Sequence, residues 1–290
     1  MFRSVMQIVC SPDMPAGEVA TNIANWGGVH FKDVIALRDA LALSASAVEY
    51  YMWRRLPAGN SSVLCNVPGA ALDKVVDIDL SLLEAICFGR PGAVAREYFR
   101  RQCGIDDFIV PTKGLNARLI SPEPGVTDSR RSGRLLPFHQ DGSAFPEGWT
   151  FLNAWTLLYP DRVGKEAIGL ELIPCKLEEL LEKQSNPTET VNSSLETSHT
   201  RIADLIGRHG TWVPNVVLGD VLLFNQFMPH RTHVVNSTRP RISAEVRMIA
   251  REQKVLDAYA RNGIPYFSFK GGKIIGPKRA RIGEPIEMIA

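Results

Sequence analysis

Two side chains that can bind a metal ion lie two positions apart in the segment FHQDG, which spans Phe138–Gly142. The apolar run Leu135–Phe138 that leads into this segment predicts a β-strand. Residues i and i+2 of a strand point to the same face, so His139 and Asp141 can reach one ion together. His-x-Asp also arises by chance in a chain with six His, so the pair predicts a metal site only if a further ligand lies elsewhere.

His230 is well placed to be that further ligand. It follows the turn and strand predicted for Gly219–Phe224 and precedes the turn-rich segment Asn236–Pro240. The runs on either side of this turn can pair as antiparallel strands, which brings Arg241 back beside His230. Two imidazoles and one carboxylate leave the opposite side of an octahedral ion open, as in non-haem Fe(II) sites. A guanidinium beside the ion offers a fixed fork to a carboxylate. The alternatives are His233 and His209 for the ligand, and Arg239 and Arg247 for the fork.

Short β-rich runs separated by turns fill the chain after Gly104. Many short strands without regular helices between them predict an antiparallel sandwich or barrel rather than a parallel sheet. The predicted strands are Phe108–Val110, Leu115–Ile120, Leu135–Phe138, Phe151–Tyr159, Ile168–Ile173, Trp212–Leu218, Val221–Phe224, Thr232–Val235 and Ile242–Ile249.

The N-terminal part of the chain is predicted to be mainly helical. Apolar residues at helical spacing predict a helix over Asp33–Trp53, and a proline suited to a first helical turn predicts another over Pro91–Cys103. Asp79 predicts the N-cap of a helix that Gly89 closes. We interpret these helices as scaffold for the strands that follow.

Three later stretches carry separate predictions. Lys176–Lys183 is predicted to form a helix, and the polar segment Gln184–Thr200 an exposed insertion. Ser121–Arg134 has the Pro, Gly and charge of a mobile loop that leads into the metal-binding segment. A solvated loop is the favoured interpretation of its arginines, and a lid that carries positive charge to an anionic substrate is the alternative. These arginines are Arg130, Arg131 and Arg134.

Composition and charge narrow the class of protein. A net charge of +2 and a hydrophobic content of 45% predict a globular protein without a nucleic-acid or membrane-surface partner. Five scattered cysteines without a Cys-x-x-Cys pair predict free or buried thiols in a reducing compartment. No run approaches the length of a signal-peptide core or a membrane span. We therefore expect a cytoplasmic monomer or homodimer, with His30 and His199 at the surface or beside helices.

Four segments carry a family resemblance: FHQDG, GLELIP, GDVLLF and PHRTHVVNSTRPRIS, in this order. They resemble the phytanoyl-CoA dioxygenase family of Fe(II)/2-oxoglutarate-dependent oxygenases over roughly Leu115 to Ile249. The resemblance implies a mainly β fold with α-helices: a double-stranded β-helix (jelly-roll, cupin-like) core flanked by N-terminal helices. The implied single domain, 1–290, would comprise a mainly helical scaffold (1–104), the jelly-roll core (105–250) and a C-terminal extension (251–290).

Matched by position, the resemblance makes His139, Asp141 and His230 the ligands of Fe(II). It makes Arg241 the anchor of the distal carboxylate of 2-oxoglutarate. Thr232 matches a hydroxyl position that supports the same carboxylate. Further predictions are Arg118 and Asn116 as co-substrate contacts, and Asn153, Trp155, Phe145 and Trp149 as walls of the co-substrate or substrate pocket.

The resemblance implies an enzyme that uses Fe(II), 2-oxoglutarate and O2 and releases succinate and CO2. Halogenases of this type leave the carboxylate position vacant for halide, so Asp141 disfavours halogenation. Hydroxylation of an unactivated C–H is the default, while desaturation, epoxidation and ring formation use the same ligands. The chain has no evident basic groove for CoA, which favours a free small molecule of secondary metabolism as substrate. The alternatives are a non-catalytic jelly-roll binding protein and a cupin-like metalloenzyme that does not use 2-oxoglutarate.

Overall fold

Strands outnumber helices in the part of the chain that the computed structural model describes, which comprises residues 8–48, 81–112, 115–120, 136–185, 196–233, 235, 240–270 and 273–279. The strands are β1 (Val9–Cys10), β2 (Gly28–Phe31), β3 (Phe108–Pro111), β4 (Leu115–Ile120), β5 (Phe151–Tyr159), β6 (Arg162–Val163), β7 (Leu170–Leu172), β8 (Val216–Val217), β9 (Val221–Asn225), β10 (His230–Thr232), β11 (Arg241–Ala250), β12 (Pro265–Lys270) and β13 (Lys273–Arg279). The helices are α1 (Ala16–Trp26), α2 (Leu37–Val48), α3 (Arg90–Cys103), α4 (His199–His209) and α5 (Gln253–Asn262), and residues 81–87 are also helical.

Nine strands form the main sheet: eight follow the order β1-β2-β9-β5-β11-β3-β12-β13, and the ninth, β4, pairs with β11. β11 has β5 along one edge and, along the other, β4 followed by β3. The first pair, β1 with β2, is parallel, while β11 runs antiparallel to each of its partners. The long central strands β5 and β11 therefore have neighbours on both edges, which fixes their backbones.

A smaller antiparallel pair, β7 with β10, forms the minor sheet. Single β-bridges extend it, because His139 pairs with both His230 and Glu196. Residues of both sheets line one shared cavity, with Trp155 and Arg241 from the main sheet and Leu170 and His230 from the minor sheet. Two sheets facing each other across a cavity is the arrangement expected for the predicted jelly roll.

The two faces of β11 explain why this strand is buried over its whole length. The apolar positions Ile242, Val246 and Met248 alternate with polar ones, and residues i and i+2 share a face. The polar face lines the cavity through Arg241 and Glu245. The apolar face belongs to the main hydrophobic core, to which α1, α2 and α3 also contribute. The helices thus cover the outside of the main sheet and leave its inner face for polar groups.

Several sequence predictions agree with these elements, and others are wrong. β4 and β5 have the predicted bounds, and the predicted helix over Pro91–Cys103 is α3. The N-terminal part, predicted to be mainly helical, also contributes β1 and β2 to the main sheet. The strand predicted over Thr232–Val235 is found instead over His230–Thr232, as β10. The sequence did not predict α1, α4, α5, β1, β2, β12 or β13, and Asp79 and Cys65 lie outside the described residues. The domain boundaries stay a prediction.

The helix predicted over Lys176–Lys183 is wrong, because these residues form an irregular segment. The side chain of Gln140 explains the difference. Its Nε2 donates to the carbonyl of Glu179 (3.3 Å), and its Oε1 accepts from the backbone N–H of Leu181 (2.6 Å). Backbone groups that a helix would pair internally are therefore bound to a side chain that is distant in sequence.

His30 was expected at the surface or beside a helix; it lies on β2, shortly after α1, and is buried in the core with 2% of its area exposed. Its Nε2 lies 2.9 Å from Oδ2 of Asp220, which also accepts from Lys32 Nζ (2.8 Å) and from the backbone N–H of Val217 (3.2 Å). Burial raises the pKa of Asp220, but the bonds from His30 and Lys32 outweigh it, so the pKa lies below its usual value. This ion-paired cluster holds the turn before β9.

The predictions about the cysteines and about membrane-spanning segments can be compared with the structure. Cys10, Cys87, Cys103 and Cys175 are free thiols, as predicted for them, and burial raises the pKa of Cys10 to about 11. A membrane-crossing helix would need more length and apolar surface than any helix in the described ranges has.

Candidate metal centre

Three buried ligand groups converge between the two sheets: His139, Asp141 and His230. One ligand atom from each lies within 4.8 Å of the others. Nε2 of His139 is 3.6 Å from Oδ1 of Asp141, and Nε2 of His230 is 3.6 Å from Oδ2. The imidazole centroids are 4.3 Å apart. The spacing fits one ion bound by two imidazoles and a carboxylate.

Backbone pairing places the two histidines together. The N–H of each donates to the carbonyl of the other at 3.0 Å, in an antiparallel bridge. Residues directly opposite one another in such a pair project their side chains to the same face. A contact between segments that are distant in sequence therefore fixes the distance between the imidazoles of His139 and His230.

The position of Asp141 agrees with the same-face prediction, although the predicted strand Leu135–Phe138 is wrong. Among residues 136–139, only His139 has a β-bridge, and Asp141 begins a 3-10 turn, Asp141–Ala144. Gln140 between them is extended, with φ −117° and ψ 127°. One extended residue is enough to return the next side chain to the face of His139. The side chain of Gln140 points elsewhere and donates to the carbonyl of Phe227 at 2.6 Å.

Hydrogen bonds orient both imidazoles for metal binding. Nδ1 of His139 lies 2.8 Å from the carbonyl of Pro137, and Nδ1 of His230 lies 3.0 Å from the carbonyl of Met228. A carbonyl only accepts, so each Nδ1 carries the hydrogen and each neutral ring has its lone pair on Nε2. This hydrogen bond from the second ring nitrogen is the usual support of a metal-binding histidine.

Asp141 is ionised in this site. Burial raises the pKa of its carboxyl, but the electrostatic contacts with His230, His139 and Arg247 outweigh burial. The pKa therefore lies well below the usual range of an aspartate. Asn153 also donates from Nδ2 to Oδ2 of Asp141 at 2.5 Å, which favours the charged form. A buried anion beside two imidazole lone pairs is a donor set suited to a divalent cation.

A cavity beside the imidazoles leads to Arg241, and we call it the anchor cavity. Arg241 is the first residue of β11, is 3% exposed, and donates from Nη1 to the carbonyl of Gly169 at 2.7 Å. Its guanidinium carbon lies 5.5 Å from the centre of the Trp155 ring. The strand pairing predicted around Asn236–Pro240 differs from the structure, since β10 pairs with β7 and β11 with β4 and β5. The lining residues are Leu136, His139, Trp155, Leu170, Phe224, His230, Arg231, Thr232, Arg241, Ser243 and Glu245.

Thr232 lies two residues after His230 on β10 and lines the anchor cavity. Its Oγ1 also accepts a hydrogen bond from the backbone N–H of Leu136 at 3.3 Å. Asn116 and Arg118 lie on β4, where they pair with Glu245 and Ser243 of β11. Their side chains are outside the described part of the chain, so their co-substrate contacts stay predictions.

The rival histidines lie elsewhere. His233 contacts Oε2 of Glu171 at 3.8 Å and the carbonyl of Lys165 at 3.1 Å. Burial raises the pKa of Glu171, but hydrogen bonds from His233 and Arg231 lower it to about 2. His209 is the last residue of α4 and is exposed. Of the rival arginines, Arg239 is outside the described residues, and Arg247 lies near Asp141.

The four predicted pocket residues separate into two groups. Trp155 lines the anchor cavity, and Asn153 contacts Asp141. Phe145 and Trp149 line a different pocket, together with Gly142 and other residues. Their ring centroids are 5.9 Å apart, and the guanidinium carbon of Arg247 lies 4.7 Å from the ring of Phe145. A role for these four in substrate binding stays a prediction.

Two charged residues near the centre have contributions that the sequence did not predict: Arg247 was named only as an alternative carboxylate anchor, and Glu245 was not named. Glu245 lines the anchor cavity, and Arg247 lies with Nη2 3.8 Å from Oδ2 of Asp141. Both are 8% exposed. The signal was present in the alternation of β11, where four polar residues recur at every second position of an otherwise apolar strand. Such a face borders a polar cavity. The four are Arg241, Ser243, Glu245 and Arg247.

Comparison with known proteins supports the fold. The epimerase SnoN, solved in complex with Fe3+, alpha ketoglutarate and nogalamycin RO, is similar with a TM-score of 0.59 and 18% identity, over 81% of this chain and 83% of that one. EvdO2 from Micromonospora carbonacea var. aurantiaca, complexed with 2-oxoglutarate, has a TM-score of 0.57 and 16% identity, over 84% and 94%. EctD from S. alaskensis with bound Fe has a TM-score of 0.54 and 18% identity, over 83% and 79%.

No protein-family model and no curated protein sequence matches this chain. At these identities the structural likeness establishes the fold. The predicted jelly-roll core is therefore confirmed, and the family resemblance in the sequence agrees with it at the level of fold.

Proposed function

We propose that this protein is an Fe(II)/2-oxoglutarate-dependent dioxygenase that oxidises a small molecule. The observation that carries the proposal is the convergence of His139, Asp141 and His230, with both Nδ1 atoms bound to carbonyls and both Nε2 atoms 3.6 Å from an oxygen of the Asp141 carboxylate. Among the proteins with a similar fold, SnoN is described with Fe3+ and alpha ketoglutarate, EvdO2 with 2-oxoglutarate, and EctD with Fe.

The donor set fits Fe(II). Two neutral imidazoles and one carboxylate on one side of the ion leave the other side open to further ligands. Bound Fe(II) would supply the activation of O2 and couple the conversion of 2-oxoglutarate into succinate and CO2 to oxidation of a C–H bond. The chain's own residues hold the ion, exclude water and orient the reactants. Because Asp141 fills the carboxylate position, we propose oxygen transfer rather than halogenation.

Arg241 suits the distal carboxylate of 2-oxoglutarate. Its buried guanidinium lines the same cavity as the metal-binding imidazoles, which is the arrangement required if one small dicarboxylate is to contact both. A guanidinium binds a carboxylate through two parallel hydrogen bonds, and these are stronger where water is excluded. Leu170 and Phe224 provide apolar walls, and Thr232 provides a hydroxyl beside the guanidinium.

We propose a free small molecule of natural-product biosynthesis as the substrate, with hydroxylation of an unactivated C–H as the default reaction. The support is the fold shared with SnoN, which is described as an epimerase from nogalamycin biosynthesis. Because SnoN is an epimerase, stereochemical inversion joins desaturation, epoxidation and ring formation as other outcomes on the same ligands. The cytoplasmic location and the monomeric or homodimeric state stay predictions.

Turnover of 2-oxoglutarate tests the proposal. The protein, loaded with Fe(II) in the presence of ascorbate and O2, is expected to form succinate slowly even without substrate. The His230→Ala variant serves as the matched blank. Metal binding without binding of 2-oxoglutarate would instead indicate a cupin-like enzyme of another kind. No binding of either would indicate a non-catalytic jelly-roll protein.

A further inference from the structure

We infer that Asn153 and Arg247 are positioning residues that fix the orientation of the Asp141 carboxylate at the metal. This inference rests on the proposed function, because it concerns how the same site holds its ion. It adds residues of the main sheet to a centre whose ligands all lie on or beside the minor sheet.

Asn153 acts on one oxygen of Asp141. Its side chain is fully buried, and Nδ2 donates to Oδ2 of Asp141 at 2.5 Å. A strong donor occupies one lone pair of Oδ2 and so favours Oδ1, which keeps both of its lone pairs, as the oxygen for the ion. A carboxylate held in this way would bind the ion through one oxygen.

Arg247 fixes which way the Asn153 amide faces. A primary amide can rotate and exchange its oxygen and nitrogen, and only the hydrogen-bond partners decide between the two orientations. The Nε–H of Arg247 donates to Oδ1 of Asn153 at 2.8 Å. Because a guanidinium only donates, the amide oxygen must face Arg247 and the amide N–H groups must face Asp141.

Arg247 is itself held on several sides. Its Nη2 donates to Oε1 of Glu245, with which it forms a buried ion pair. Its guanidinium carbon lies 4.7 Å from the ring centre of Phe145 and 5.4 Å from that of Phe151. A guanidinium that is paired and packed against two aromatic rings has few rotamers available. Arg247 therefore orients the amide of Asn153, and Asn153 in turn orients the carboxylate of Asp141.

The first test compares metal affinity with stability. Asn153→Ala and the near-isosteric Asn153→Leu both remove the donor to Asp141, and isothermal titration with Co(II) or Mn(II) measures the metal Kd. We expect the Kd to rise about 10- to 100-fold, the range found when a group that orients a metal ligand is removed. An unchanged Kd in both folded variants would overturn the inference.

Thr156→Val is the matched control. Thr156 lies on the same strand, three residues further on and on the opposite face, and its Oγ1 donates to the carbonyl of Asp220 at 2.8 Å. The control also loses one buried hydrogen bond, so its melting temperature should fall, while its metal Kd stays at the wild-type value. A rise in Kd matched by Thr156→Val would show that loosening of β5 alone explains the effect, and the inference would fail.

A double-mutant cycle tests the order of action. Removal of Arg247 would leave the Glu245 carboxylate buried and unpaired near the ion, so all proteins in the cycle carry Glu245→Gln. In that background we expect Arg247→Met to raise the metal Kd, and to raise it little further once Asn153→Ala is present. Additive effects would show that Arg247 acts directly on Asp141, across 3.8 Å, and would overturn the relay through Asn153.

Failure of this inference is distinguishable from failure of the proposed function. If the wild-type protein binds neither Co(II) nor Mn(II) and does not turn over 2-oxoglutarate, the proposed function fails. If the wild type binds metal and the Asn153 variants bind it equally well, the proposed function stands and the positioning role is removed.

Discussion

The two sheets contribute to the metal centre in different ways. The minor sheet is short, since β7 and β10 have three residues each and His139 joins them through single bridges. The main sheet is long where it meets the site, since β5 has nine residues and β11 has ten. The ligands lie on or beside the short elements, while Arg241, Glu245 and Arg247 lie on the long strand β11.

This difference suggests that the minor sheet supplies the metal ligands and that the main sheet supplies most of the stability. A short pair of strands contributes little to stability by itself, so the ligands depend on bonds that tie them to other segments. Those bonds include the pair of backbone hydrogen bonds between His139 and His230 and the pairing of Arg231 with Glu171. The main sheet contributes a large buried core and a rigid frame for Arg241 and Asn153. Variants on the minor sheet should therefore change metal binding and turnover most, and variants on the outer face of the main sheet should change the free energy of unfolding most.

The largest effect is expected for a ligand on the minor sheet. His230→Ala removes one of three metal ligands, so succinate formation should fall to background and metal binding should be lost. The free energy of unfolding of the metal-free protein should fall by only about 1–2 kcal/mol. The matched control is His233→Ala, which removes an imidazole that contacts Glu171 instead of the centre. Loss of metal binding in both variants to the same degree would contradict the assignment of His230.

Arg241→Ala gives the next largest effect and tests the main sheet's part in binding. Truncation of one partner of a buried charge pair costs about 2–5 kcal/mol, so the KM for 2-oxoglutarate should rise at least about 30-fold. Arg241→Lys keeps the charge without the fork and should raise the KM less. Titration with Mn(II) should show unchanged metal affinity in both variants. An unchanged KM in the alanine variant would show that another group binds the distal carboxylate.

Met248→Ala should have the opposite effect to the two preceding variants, because it should lower stability and leave metal binding unchanged. Met248 lies on the outer, apolar face of β11 and is fully buried. The cavity left by the side chain should lower the free energy of unfolding by about 2–5 kcal/mol. The metal Kd of the folded variant should not change, because the inner face of the strand keeps its residues. A weakened metal Kd with normal stability would show that the two faces of β11 are not independent.

The sequence predicted the long elements better than the short ones, for a physical reason. The bounds of β5 were predicted because a nine-residue run bounded by turn residues carries its own signal. The single bridge at His139 carries no such signal, since it depends on a partner that is distant in the chain. The irregular backbone near Leu181 likewise depends on the side chain of Gln140. Contacts of this kind are invisible to local patterns.

The candidate site itself was predictable in its types of residue and less so in its supports. His139, Asp141, His230 and Arg241 have chemistry that few structural roles require together, so their spacing was informative. Arg247 was taken only as a rival anchor, although its place two positions after Glu245 on a buried strand puts both side chains on one face. Its contact with Asn153 joins two strands and requires the register of the sheet.

A smaller effect, with a pH dependence, is expected where the minor sheet is held together. Glu171 accepts a hydrogen bond from Nε of Arg231 at 2.6 Å. Burial raises the pKa of Glu171, but the hydrogen bonds from His233 and Arg231 outweigh burial and leave the pKa at about 2, against 4.5 in the unfolded chain. A lowered folded-state pKa means that the carboxylate stabilises the protein above pH 4.5 and that this contribution is lost as the pH falls toward 2. Glu171→Gln should therefore lower the free energy of unfolding at neutral pH by about 1–3 kcal/mol. Urea unfolding of both proteins across this range should show the difference shrink as the pH falls. A difference that stays constant with pH would show that the charge of Glu171 does not hold β7 and β10 together.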